Sequence, residues 1–165
     1  MKSAFRLAAA GCLAFGGPVF AHGDHAGHDG DGGHAARGEF AFGTPGDPAK
    51  PARTVEVTMR EEGGKMLFSP RRVDISQGEQ IRFVLKNAGA LEHEFVLGSQ
   101  EANQAHAAAM AANPGMSHEE PNEISLKSGA TGELVWTFTQ TGDFDYSCLI
   151  PGHREAGMSG VLVVK

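Results

Sequence analysis

The sequence predicts an all-β fold: a sandwich of two sheets carrying one short helical insertion. Three observations point there. Apolar residues recur with period two in seven or eight short runs across residues 53–165. Turn formers separate the runs, at Gly63-Gly64, Asn87-Ala88-Gly89, Ser128-Gly129 and Thr141-Gly142. Only residues 99–113 have the alanine-rich composition and end signals of a helix. Many short strands with a single helix favour a sandwich over a helical or α/β domain.

The segments before residue 53 lie outside that pattern. Lys2 and Arg6, an apolar run over residues 7–20 broken only by glycine and proline, and the ending Val19-Phe20-Ala21 predict a secretory signal peptide cleaved after Ala21. The run is short for a bilayer span, so an exported, periplasmic chain without stable membrane insertion is expected. A lipid anchor on Cys12 is disfavoured, because Ala9-Ala10-Gly11 lacks the usual leucine three positions before the cysteine. Residues 22–34 read HGDHAGHDGDGGH and place His22, His25, His28 and His34 among glycines and aspartates. So little apolar surface cannot offset the entropy of ordering, so disorder is expected. Such a tract is a candidate metal binder, with a solubilising tail as the alternative. Three prolines in Thr44-Pro45-Gly46-Asp47-Pro48-Ala49-Lys50-Pro51 predict an extended linker. The expected organisation is a leader over 1–21, a His-rich tail and Pro-rich linker over 22–52, and a folded domain over 53–165.

Within the domain, Val55, Val57 and Met59 alternate with polar neighbours, Val73 and Ile75 follow a break at Ser69-Pro70, and residues 81–85 form an apolar run behind Gly78. Further strands are expected at residues 93–97, 124–126, 133–139, 143–147 and 161–164. The helix has Ser99 as its N-cap and Pro114 as its stop. It carries His106 and Met110 on one face, with Met116 and His118 following. These four either form an additional metal site, or Met110 packs the helix onto the sandwich and the others are polar surface.

Loss of Lys2 and Arg6 with the leader would leave 12 of the 14 basic side chains against 20 acidic ones, a formal charge of −8. Clustered Lys and Arg, the footprint of a nucleic-acid binder, are lacking, and no Ser-His-Asp or phosphate-loop signature is recognisable. The acidity suits cation capture or a basic partner. With Cys12 removed, Cys148 is the sole cysteine. Exported proteins generally pair their cysteines, so Cys148 is a free thiol, an intermolecular bridge or a metal ligand.

Its surroundings favour the last. Tyr146-Ser147-Cys148-Leu149-Ile150-Pro151-Gly152-His153-Arg154-Glu155-Ala156-Gly157-Met158 offers a thiolate, an imidazole and a thioether in one loop, soft to borderline donors suited to copper. A mononuclear redox copper site takes one cysteine, two histidines and a weak axial methionine. Four of the eight histidines lie in the tail and two in the insertion, which leaves His93, at the start of an expected strand, as the remaining candidate for the second imidazole, with a surface histidine in Glu92-His93-Glu94 as the alternative.

The segments His93-Glu94-Phe95-Val96-Leu97 and residues 146–164, with their Cys-x4-His-x4-Met spacing, resemble the two metal-binding segments of the cupredoxins, the blue-copper family. The resemblance spans residues 53–165. It implies a Greek-key cupredoxin β-sandwich with His93, Cys148 and His153 as equatorial ligands of one copper ion and Met158 as the axial one. Many cupredoxins place asparagine after the first histidine, where this chain has Glu94. The His-rich tail and the insertion make the chain look more like the periplasmic copper-tolerance cupredoxins than the photosynthetic carriers.

Three functions follow as expectations. The first is copper tolerance, by sequestration or Cu(I) handling, with copper ions as partner and the tail adding capacity. The second is electron transfer, with Leu149, Ile150 and Pro151 as an apolar docking patch for a cytochrome or a copper-transport protein. Multicopper or nitrite-reducing catalysis is disfavoured, since it needs a further centre built from many ordered histidines. A non-enzymatic monomer is expected.

Overall fold

The computed structural model describes residues 40–113 and 120–165. Residues 1–39 lie outside it, and with them the expected leader and the histidines of the tail. Among the described residues, no helix is long and apolar enough to cross a membrane.

The described residues form ten strands and one helix in the order β1 (Gly43–Pro45), β2 (Arg53–Glu62), β3 (Lys65–Ser69), β4 (Arg72–Ile75), β5 (Gln80–Asn87), β6 (His93–Gly98), α1 (Gln100–Ala112), β7 (Glu123–Leu126), β8 (Thr131–Phe138), β9 (Gly142–Ser147) and β10 (Ser159–Val164). One sheet has the order β1-β8-β5-β2-β3 and the other β4-β10-β9-β6-β7. The pairs β2–β5 and β4–β10 are parallel, and the rest are antiparallel. The chain passes between sheets from β3 to β4, β4 to β5, β5 to β6, β7 to β8 and β8 to β9, the crossed connectivity expected of a Greek-key sandwich.

The period-two pattern places the core. Val55, Val57 and Met59 point inward from β2, and Ile81, Phe83 and Leu85 from β5. They meet Phe95, Tyr146 and Leu162 of the other sheet in one cluster. Phe95 lies 5.1 Å from Phe83 and 5.2 Å from Tyr146, ring centre to ring centre, so aromatic contacts bridge the layers directly behind the candidate centre.

Two strands exceed the expectation. β3 pairs with β2 through a two-residue hairpin in which Gly63 and Gly64 both take positive φ, 59° and 77°, the conformation that such turns require. β1 corrects the domain boundary: residues 40–52 are not a linker. Phe42 is 4% exposed, and β1 pairs with β8 at the sheet edge. The prolines delimit a turn rather than a linker, and Gln80 holds that turn by accepting from the Asp47 N–H and donating to the carbonyls of Asp47, Lys50 and Pro51.

Helix α1 begins where its cap dictates. The Ser99 hydroxyl accepts the Ala102 N–H at 3.0 Å, satisfying one of the otherwise unpaired donors of the first turn. The one buried side chain on α1 is Asn103, which donates to the Val96 carbonyl at 3.3 Å. Met110 is half-buried, and Asn103 anchors the helix to the sandwich through its bond to Val96. With so little apolar burial the cap matters: Ser99→Ala is expected to cost about 1 kcal/mol in urea unfolding. Met116 and His118 lie outside the described residues, so the structure describes only half of the four-residue site expected in the insertion. His106 and Met110 are both half-buried on α1.

Candidate metal centre

β6 lies between β7 and β9, with Val96 opposite Ser147 and Leu97 opposite Tyr146. This register sets His93, the first residue of β6, beside the end of β9, where Cys148 begins the connection to β10. Ser147 and Ser159 face each other across β9 and β10, so residues 148–158 form a closed loop on the sandwich end. Its ends are tied by the Cys148 N–H donating to the Met158 carbonyl and the Met158 N–H to the His153 carbonyl, both at 3.1 Å. Gly152 (φ 88°) and Gly157 (φ 104°) supply the left-handed turns that fold the loop back, which other residues adopt at a cost.

His93, Cys148 and His153 converge, with their ligating atoms all within 4.8 Å of one another. The two Nδ1 atoms are 3.2 Å apart, and Cys148 Sγ is 3.3 Å from His153 Nδ1. Donors bound at roughly 2.0–2.3 Å around one ion stand about 3.5–4 Å apart in a trigonal set, so a small outward movement accommodates a metal. His93 and Cys148 are fully buried, and His153 retains 9% exposure. Met158 is fully buried at the far end of the loop, its backbone bonded to both Cys148 and His153.

The electrostatics suit a cation. Burial pushes the Cys148 thiol up to about 12, against the lowering effect of N–H donors from Glu94 and Ile150. Burial, with His93 beside it, holds His153 below the ordinary imidazole range. Two imidazoles and a thiol that ionises only when a positive charge compensates it form a donor set of the softness copper prefers. Glu94, which stands where many cupredoxins have asparagine, meets the site through its backbone, donating its N–H to Cys148 Sγ at 3.3 Å.

Two features had no readable sequence signal. Glu61, at the end of β2, accepts a hydrogen bond from His93 Nε2 at 2.8 Å, 32 residues away in the chain. Its carboxyl would be raised by burial, but hydrogen bonds from the Ala90 and Leu91 N–H groups and from His93 outweigh this and bring it to about 2. Arg154, inside the loop, pairs with buried Asp145 at 2.6 Å and also reaches the Ser147 hydroxyl, tying the loop to β9. Leu149, expected in an apolar docking patch, is 1% exposed and so is not part of an exposed patch. Ile150 is half-buried and Pro151 exposed.

The chain is 46% identical over 144 residues to the copper-resistant cuproprotein CopI of Rubrivivax gelatinosus, covering 85% of this chain and 86% of that one. It is 34% identical over 154 residues to CopI of Pseudomonas aeruginosa, covering 76% and 83%. Among solved structures, auracyanin B matches with a TM-score of 0.59 at 25% identity, covering 79% of this chain and 99% of that one. The family model for copper binding proteins of the plastocyanin/azurin family matches residues 55–165. With that match and a cupredoxin sandwich that gathers a His-Cys-His donor set at one end, the chain belongs to the plastocyanin/azurin family of copper binding proteins.

Proposed function

We propose that His93, Cys148, His153 and Met158 would hold one copper ion, and that the chain serves copper tolerance in the periplasm without being an enzyme. The observation that carries the reading is the buried His93–Cys148–His153 cluster, carried on a chain resembling relatives named copper-resistant cuproproteins. Bound copper would supply one-electron chemistry between Cu(I) and Cu(II). The protein's part is to hold the two imidazoles in place, exclude water from Cys148, and close the loop through Arg154 and Asp145 so that the donors move little. The tail histidines His22, His25, His28 and His34 would add capacity by presenting further imidazoles.

Growth on excess copper tests the role. A strain lacking the protein should grow poorly on excess copper, and unchanged growth would sink the tolerance reading. In a copper titration, the chain starting at His22 is expected to bind more than one equivalent, and a chain lacking residues 22–39 to bind one. Equal stoichiometries would remove the tail from the proposal.

A second reading, electron transfer, has one observation in its favour: His153 keeps 9% exposure beside Ile150 and exposed Pro151, a route for an electron at the sandwich end. Fast electron exchange with a cytochrome, retained without residues 22–39, would support it.

A further inference from the structure

Glu61 and His93 belong to different sheets, yet the shortest polar contact of His93 is the 2.8 Å one from Nε2 to Glu61 Oε1. The carboxylate is itself held in place. Oε2 accepts the Ala90 N–H at 2.8 Å, and Oε1 accepts the Leu91 N–H at 3.1 Å. The connection between β5 and β6 is shaped to allow this. A Cβ on Gly89 would fall 2.5 Å from Oε2 and 2.7 Å from Oε1, so any side chain there would displace the carboxylate. Asn87 and Ser128 fix the same connection from behind. Asn87 accepts the Gly89 N–H and donates to the carbonyls of Leu91 and Leu126, while the Ser128 hydroxyl donates to the Gly89 carbonyl.

A carboxylate that already accepts two backbone N–H groups is an acceptor towards the imidazole too, so Nε2 of His93 carries the proton. That leaves the lone pair on Nδ1, the atom 3.2 Å from His153 Nδ1 in the donor cluster. Which nitrogen of a histidine binds a metal is set by the hydrogen bond its other nitrogen makes, and an anionic partner strengthens the imidazole as a donor.

We infer that Glu61 is a positioning residue for the metal centre: it locks His93 in the Nε2–H tautomer, aims Nδ1 at the copper, and by its charge biases the site towards Cu(II) over Cu(I). The inference rests on the reading of His93 as a copper ligand. It gives the loop around Gly89 a purpose.

Glu61→Gln is the informative variant. It keeps the side-chain length but loses the charge, and it cannot accept from Ala90, Leu91 and His93 together. Cu(II) affinity should fall about 10–100-fold, and Cu(I) affinity by less. Each tenfold difference between the two raises the reduction potential by about 59 mV for a one-electron couple. The charge-transfer band should shift rather than vanish. Nitrogen NMR of the metal-free parent chain tests the tautomer without any variant, and a protonated Nε2 on His93 is expected. A protonated Nδ1 in the parent, or a folded Glu61→Gln chain with unchanged potential and unchanged Cu(II)-to-Cu(I) affinity ratio, would overturn the inference while leaving the copper site intact. Loss of the underlying reading looks different: His93→Ala would then bind copper with the parent's spectrum, and the role of Glu61 would fall with it.

Discussion

Cys148→Ser is expected to remove the intense thiolate-to-copper charge-transfer band completely while leaving a folded protein. The band needs a sulfur orbital of high energy bonded to the metal, and a serine oxygen is too hard a donor to replace it. Folding should survive because the site asks little of the sulfur besides ligation. Sγ accepts backbone N–H groups, from Glu94 at 3.3 Å and from Ile150, and a serine hydroxyl can accept in their place. Cys148 is fully buried, so the added polarity has some cost, but the hydroxyl is not left without a partner. Copper affinity at the loop should fall by more than the roughly 10–100-fold that loss of an outer hydrogen-bond partner costs. Any copper held by the tail should remain, with the weak optical signature of nitrogen and oxygen ligation. An unchanged band in the serine variant would defeat the ligand assignment outright.

The candidate donors are readable as a group because three of the four sit within eleven residues, where spacing alone brings them to one loop. His93 required elimination among eight histidines, and it was found because an expected strand start placed it at a sandwich end. Glu61 could not be found that way. In Arg60-Glu61-Glu62 it looks like any solvated strand end, and its contact with His93 arises only when the two sheets close on each other. Arg154 is in the same position: it stands between two candidate ligands, but its partner Asp145 lies on the preceding strand, and nothing in the spacing distinguishes that pair from surface charge. In the fold, strands with clean alternation were legible, as was the helix with its serine cap. β3 was missed because its inward residues are few, with Phe68 alone fully buried, although Gly63-Gly64 before it is the signature of a two-residue hairpin. β1 was missed because three prolines nearby outweighed a shorter signal, the spacing of two between Phe40 and Phe42.

That overlooked pair leads to the second large effect, about 3 kcal/mol of destabilisation for Phe42→Ala. Were residues 40–52 a linker, the substitution would be neutral. Instead the Phe42 ring stacks on Trp136 at 5.1 Å and lies 5.7 Å from Phe144 and 6.5 Å from Phe138, while Phe40 meets Trp136 edge-on at 5.1 Å. Removing Phe42 uncovers one face of a fully buried tryptophan. The expected loss sits at the low end of the range of about 3–5 kcal/mol for Phe→Ala, because a three-residue edge strand can partly close the gap. Urea unfolding measures it, and a change below about 0.5 kcal/mol, the ordinary range for surface positions, would restore the linker reading. Copper binding under native conditions should barely move. β1 forms one edge of its sheet, whereas β3, whose Met66 N–H bonds the Ala156 carbonyl of the ligand loop, forms the other. Deleting residues 22–39 should therefore leave the unfolding midpoint in place, and deleting through residue 52 should lower it sharply. Stability and metal binding thus separate along the first sheet, with the aromatic cluster at the β1 edge governing the former and the loop contact at the β3 edge the latter.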